Sequence, residues 1–215
     1  MAAVQQRPKV AVQQRIVLHN ISWATYECLL ADHENTSVPR FTYDRGELEI
    51  MSPRSEHEDR TWATERLIET AIQEKGGEFR NTRSTTFRRR DLERGFEADS
   101  SFYIQNEYAV RDSDEFDLRS VPPPDLVIEI DVTNSSIDKL AVFAAVRVPE
   151  VWRHANGRFA FMHLDDATYV ETNESYVLTG VRAADVSDLI AAIGTTGRSA
   201  WLRRVEEWAR NLPRP

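Results

Sequence analysis

PPPDLVIEIDVTNSSIDKLAVFAAVRV, residues 122–148, is the stretch around which the rest of the chain is organised. Three prolines halt whatever precedes them. The spacing then predicts a strand over residues 125–132 and a helix over residues 136–146. Strand side chains alternate between faces, so Leu126, Ile128, Ile130 and Val132 share one wholly apolar face. Val127, Glu129 and Asp131 point the other way. A run this apolar suits a central strand covered on both sides. Two carboxylates would then sit together at the far end of a buried strand, where ionised groups are costly unless a cation or hydrogen-bond donors meet them. That conflict between position and charge points to a divalent-metal site.

The following helix would start at a capping box, Ser135-x-x-Asp138, and bury Ile137, Leu140, Phe143 and Ala144. Lys139 falls in its first turn, where a cation opposes the helix dipole. Helix stability does not explain it, and it lies near the carboxylate end of the preceding strand. Beyond the helix, residues 150–154, 158–164 and 168–171 read as a β-meander with turns at Asn156-Gly157 and Asp165-Asp166. Residues 183–193 form a short helix. Residues 199–211 form an amphipathic helix whose Trp201, Leu202, Val205 and Trp208 suit core packing or a subunit contact.

Upstream, residues 1–14 read as a loose polar tail. Ser22 would cap a helix carrying Trp23, Tyr26, Leu29 and Leu30, with Cys28 as a small packed residue inside it. A hairpin follows, residues 40–44 and 47–51 about a D-R-G turn, with Glu47 and Glu49 on one face. Residues 56–75 read as a long helix with His57 near its start and Gly76-Gly77 at its end. Residues 78–90 mix β-favouring residues with many arginines, and residues 96–104 read as one strand with Glu97 and Asp99 on the same face. Residues 105–124 are acidic and irregular, a connection expected on the surface.

A chain of 215 residues, 41% hydrophobic and 29% charged, has the composition of an ordinary globular protein with a sizeable core. Its net charge of −8 gives no general affinity for nucleic acid, so a phosphate backbone would need a local basic patch. The arginine run containing Arg83, Arg88, Arg89 and Arg90 is the place for one. A single cysteine excludes an intrachain disulfide and a cysteine-based zinc cluster. No apolar run reaches membrane-spanning length, the Gln-rich start lacks a signal-peptide core, and a cytoplasmic protein with no membrane partner is the expectation. No Gly-rich phosphate loop follows a strand. The chain divides into a tail over residues 1–15, a main domain over 16–195 and a C-terminal helix over 196–215.

Four segments in this order resemble the PD-(D/E)XK nuclease superfamily and, more narrowly, the Uma2 family (the former DUF820) of restriction-type endonucleases. They are YDRGELEIMSP at 43–53 with His57 beyond, GFEADSSFYI at 95–104, PPDLVIEIDVT at 123–133 and DKLAVFAAVRVPEVWR at 138–153. The resemblance implies an α/β fold, a restriction-endonuclease-like mixed sheet flanked by helices, with an antiparallel extension from the meander. It also implies metal ligation by Asp99, Glu129 and the backbone carbonyl of Ile130, a hard-oxygen set suited to Mg²⁺ or Mn²⁺. The superfamily places its lysine where this chain has Asp131, and family usage moves that lysine onto the next helix, at Lys139. Glu47, His57 and Asp131 become auxiliary positions. The implied function is Mg²⁺-dependent cleavage of phosphodiester bonds in DNA by a homodimer. Two other readings fit the same residues: a catalytically silent nucleic-acid-binding module, and an assembly protein that uses the nuclease fold and its C-terminal helix.

Overall fold

A computed structural model of the chain describes residues 14–34, 36, 38–52, 55–130 and 137–213. The elements are β1 (Gln14–Leu18), α1 (Trp23–Asp32), β2 (Arg40–Asp44), β3 (Glu47–Ser52), α2 (Ser55–Glu74), β4 (Arg80–Asn81), β5 (Thr86–Arg89), β6 (Arg94–Glu97), β7 (Ser100–Tyr103) and α3 (Glu107–Val110). They continue with β8 (Leu126–Glu129), α4 (Lys139–Ala145), β9 (Glu150–Ala155), β10 (Arg158–Asp165), β11 (Thr168–Thr172), α5 (Ala183–Ala192) and α6 (Arg198–Arg210). They build two sheets. One is antiparallel, in the order β1-β3-β2-β6-β5. The other, β11-β10-β9-β8-β7-β4, is mixed, because β8 and β9 pair in parallel across the α4 crossover.

β8 lies inside the mixed sheet and is covered on both faces, as its unbroken apolar run requires. Leu126, Ile128 and Ile130 join Leu67 and Ile68 of α2, Trp152, Phe161 and Trp201 in one core cluster. Val127 faces the other way, into Phe87, Phe96, Val142 and Phe143. That second cluster glues the two sheets together through α4. Fully burying side chains of this size contributes about 1.5–3 kcal/mol each. A third cluster of Trp23, Tyr26, Phe41, Tyr43 and Leu48 seats α1 on the antiparallel sheet.

The turns follow the sequence. Arg45-Gly46 and Asn156-Gly157 close hairpins with both residues at positive φ (47° and 95°, 53° and 78°), the twist that tight hairpins favour. Ser22 caps α1, its hydroxyl accepting from the Thr25 N–H at 3.1 Å. The meander and the two C-terminal helices lie where the periodicity placed them.

Several expectations need correction. Residues 96–104 are not one strand: β6 belongs to one sheet and β7 to the other. The alternating pattern runs through, but two side chains take over the ladder at the break. Glu97 Oε2 accepts the Phe41 N–H at 2.8 Å, and Asp99 Oδ2 accepts the Ile130 N–H at 2.6 Å. Residues 105–124 are not a surface loop throughout, since Val110, Phe116 and Leu118 are buried. Burial is tolerable because Arg80 donates to the carbonyls of Val110, Arg111 and Ser113 while Asp125 accepts the N–H groups of Ile104 and Asn106. Residues 14 and 15, read as the end of the tail, begin the edge strand β1. Cys28 is exposed, not packed.

Asp138 is itself the N-cap of α4, accepting from Leu140 and Ala141, and the expected cap Ser135 lies outside the described residues. Trp201 is fully buried, with its indole N–H donating to the Leu189 carbonyl at 2.7 Å. It is therefore core and not a surface for a partner. Among the described residues no helix is long and apolar enough to cross a membrane.

Candidate metal and catalytic site

The break between β6 and β7 fixes the site. In the antiparallel β7–β8 pair Ser100 faces Ile128, so the register carried one step further sets Asp99 opposite Glu129. Directly opposed residues project to the same face with Cβ atoms about 4.5–5.5 Å apart. Both side chains are buried, at 3% and 6% exposure.

Each carboxylate has a different set of neighbours. Asp99 Oδ1 accepts from Arg40 Nη1. Asp99 Oδ2 accepts from the Ile130 N–H at 2.6 Å and lies 2.9 Å from His57 Nε2, which the first turn of α2 delivers. Glu129 Oε2 accepts from Lys139 Nζ at 2.8 Å, while Glu129 Oε1 is buried with no hydrogen-bond partner among the described residues. Lys139 reaches it because Asp138 caps α4 and puts Lys139 in its first turn. At the rim, Glu58 Oε1 accepts from Arg40 Nη2 at 2.9 Å and is 3.8 Å from His57 Nδ1.

These contacts split the protonation behaviour of the pair. Burial alone would raise the Asp99 pKa, but the hydrogen bond and charge of His57, with Arg40 and Lys139, hold it below the usual carboxylate range. Burial raises that of Glu129, and the Lys139 charge only partly offsets it. For His57 burial acts downward, yet its hydrogen bond to Asp99, the nearby Glu58 carboxylate and the Asp99 charge lift it to about 9. Lys139 is likewise raised: burial pulls down, and the charges of Glu129 and Asp99 outweigh it. At neutral pH His57 and Lys139 are therefore cations facing an ionised Asp99.

The structure brings together Asp99, Glu129, Ile130, His57 and Lys139 from the sequence reading. It does not bring Glu47, which is half-exposed at the hairpin end and paired with His19 at 3.2 Å. Its neighbour on the same strand, Glu49, is buried, lies 3.6 Å from Arg15 Nε, and is close enough to raise the Lys139 pKa. A glutamate inside the apolar run LEIM was the available signal, read one alternation too early. Asp131 lies outside the described residues. Arg40 and Glu58 were missed. Nothing local marks Arg40, because its partner Asp99 is 59 residues away.

The arginine run is mostly spoken for. Arg80 serves backbone carbonyls, Arg89 pairs with Asp91 and Arg94 with Asp44. Arg90 is exposed. Arg83 and Arg88 line an open cleft of about 890 Å³ whose floor includes Phe41 and Glu97, but Glu27, Glu34, Asp114 and Glu115 line it too.

Among the described residues no group of three or more His, Cys, Asp or Glu side chains gathers with metal-binding spacing. Asp99 and Glu129 stand opposed in the β7–β8 register, and Glu129 Oε1 is an orphaned buried acceptor. A divalent ion held between these carboxylates would meet hard oxygens, the donor type that suits Mg²⁺ or Mn²⁺ better than a softer ion.

The sequence matches the Uma2 family model, described as "Putative restriction endonuclease", over residues 23–191. Among solved structures it is similar to the crystal structure of "a putative nuclease belonging to DUF820" from Anabaena variabilis ATCC 29413. The TM-score is 0.50 with 11% identity, over 88% of this chain and 99% of that one. At that identity the likeness is one of fold. No curated protein matches the sequence.

Proposed function

The chain belongs to the Uma2 family, and from that premise we propose that the buried cluster of Asp99, Glu129 and Lys139 hydrolyses phosphodiester bonds in DNA with the help of Mg²⁺ or Mn²⁺. The observation that carries this reading is the Asp99–Glu129 opposition with Lys139 Nζ 2.8 Å from Glu129 Oε2. The Asp99 and Glu129 carboxylates and the Ile130 carbonyl would hold the ion. Once bound, a divalent ion neutralises charge at phosphorus and makes water a better nucleophile at neutral pH.

The protein's own groups supply the rest. Lys139 remains an ammonium at neutral pH, so it donates to a water or to a phosphoryl oxygen and is no general base. Its contact with Glu129 fixes the ammonium beside the reacting centre before substrate arrives. His57 and the Ile130 N–H hold Asp99 Oδ2 and so fix the carboxylate plane. Arg83 and Arg88 are the cations in the cleft wall available to phosphates. The five carboxylates around them keep DNA affinity low, and with two arginines to displace counterions its salt dependence is shallow.

Cleavage of supercoiled plasmid with Mg²⁺ or Mn²⁺ tests the proposal. Wild-type activity should vanish with EDTA and fall about 100-fold or more in Asp99→Ala and Lys139→Ala. Equal residual cleavage in all three proteins would refute it. One observation favours a second reading, a fold that keeps its site silent: Asp99 is already fully paired by Arg40, His57 and the Ile130 N–H. That version binds nucleic acid without metal-dependent cleavage.

A further inference from the structure

Asp99 meets three donors inside the protein, and they are not equivalent. The Ile130 N–H and His57 both bind Oδ2 and belong to the scaffold that aims the carboxylate. Arg40 binds Oδ1 alone. Its guanidinium is 6% exposed, and its other nitrogen Nη2 holds Glu58 Oε1, which is half-exposed at the rim. A full positive charge therefore occupies the oxygen of Asp99 that the scaffold leaves available, close enough to Glu129 for its charge to act on that carboxylate as well. Arg40 and a divalent ion would compete for that oxygen, because like charges repel more strongly in a buried setting than in water.

We infer that Arg40 is the built-in counter-cation of the site: it neutralises Asp99 until a divalent ion arrives, competes with that ion for Oδ1, and on displacement stays tethered to Glu58 at the rim. This inference rests on the metal site proposed above and adds a residue that sets its affinity. Three features fit the role. A planar guanidinium can hold two carboxylates at once, so losing one contact leaves it partnered. Glu58 faces solvent, which makes the rim the inexpensive place for the displaced charge. Without Arg40, a buried Asp99 and Glu129 would face only His57 and Lys139, so Arg40 also stabilises the metal-free fold.

Mn²⁺ binding, followed by electron paramagnetic resonance and calorimetry on the full chain, tests the inference apart from any cleavage. Arg40→Gln removes the charge and keeps a hydrogen-bond donor, and it should bind Mn²⁺ about tenfold more tightly than the wild type or better. Asp99→Asn should abolish binding in both backgrounds. Where Arg40→Gln fails to fold, Arg40→Lys is read instead: it keeps the charge but cannot fork between Asp99 and Glu58, and binding should tighten by about threefold. Wild-type binding with equal or weaker binding in the Arg40 variant overturns the counter-cation role and leaves the metal site standing. No Mn²⁺ binding in any of the proteins removes the site and the inference together.

Discussion

The His57–Asp99 contact makes the stability of the metal-free protein depend on pH in a window where few proteins show a steep response. The folded protein raises the His57 pKa from 6.5 to about 9, against the pull of burial, through its partners Asp99 and Glu58. A raised pKa means that the folded state binds the proton more tightly than the unfolded chain. The contribution is fully present below about pH 6.5 and is lost as pH climbs through about 9. Its full size is about 3 kcal/mol. About 2 kcal/mol of it survives at pH ~7.5, and almost none at pH ~9.5. His57→Gln keeps a donor for Asp99 but cannot titrate. Urea denaturation in EDTA, run on both proteins at these pH values, isolates the term as a difference. That removes the titrations of Glu129 and Lys139 from the comparison. The gap between wild type and variant should close by about 2 kcal/mol between pH ~7.5 and ~9.5. A gap that stays constant across that range would refute the ionised His57–Asp99 pair, and one that widens would reverse its sign.

Two further outcomes follow from the packing. Asp138→Ala removes the cap of the seven-residue helix that presents Lys139 and should cost about 1 kcal/mol by denaturation, with near-complete recovery in Asp138→Asn or Asp138→Ser. Trp201→Ala empties a fully buried position and forfeits the bond to the Leu189 carbonyl; the expected loss is about 3–5 kcal/mol in thermal or urea unfolding, with no change in oligomeric state by light scattering.

Most of the architecture could be read from periodicity. The apolar alternation of residues 126–130, the Asn156-Gly157 turn and the core stripe of α2 are local signals, and local signals survive folding. The switch between sheets at Ala98-Asp99 is not local. The residues there still alternate, and only the capture of two distant N–H groups by Glu97 and Asp99 breaks the strand. The site divides in the same way. Asp99, Glu129 and Lys139 could be found because they flank one strand–helix unit. Arg40 and Glu58 could not, because an arginine at the start of a hairpin and a glutamate on a helix look like solvated charges until the two sheets come together. Glu49 was one alternation from the residue chosen. Which of two same-face glutamates is buried depends on how far the hairpin is covered, and a pattern of period two carries no information about that.

Asp99 occupies the two-residue joint between the sheets, with Arg40 59 positions and His57 42 positions before it, and the Ile130 N–H 31 positions after it. No single sheet holds the cluster, and no short fragment contains it. The groups become neighbours only when the antiparallel hairpin region, the long helix and the mixed sheet have docked. Whatever chemistry the cluster performs thus depends on tertiary docking and not on any one element. A nascent or proteolysed chain would carry every one of these residues without the cluster they form.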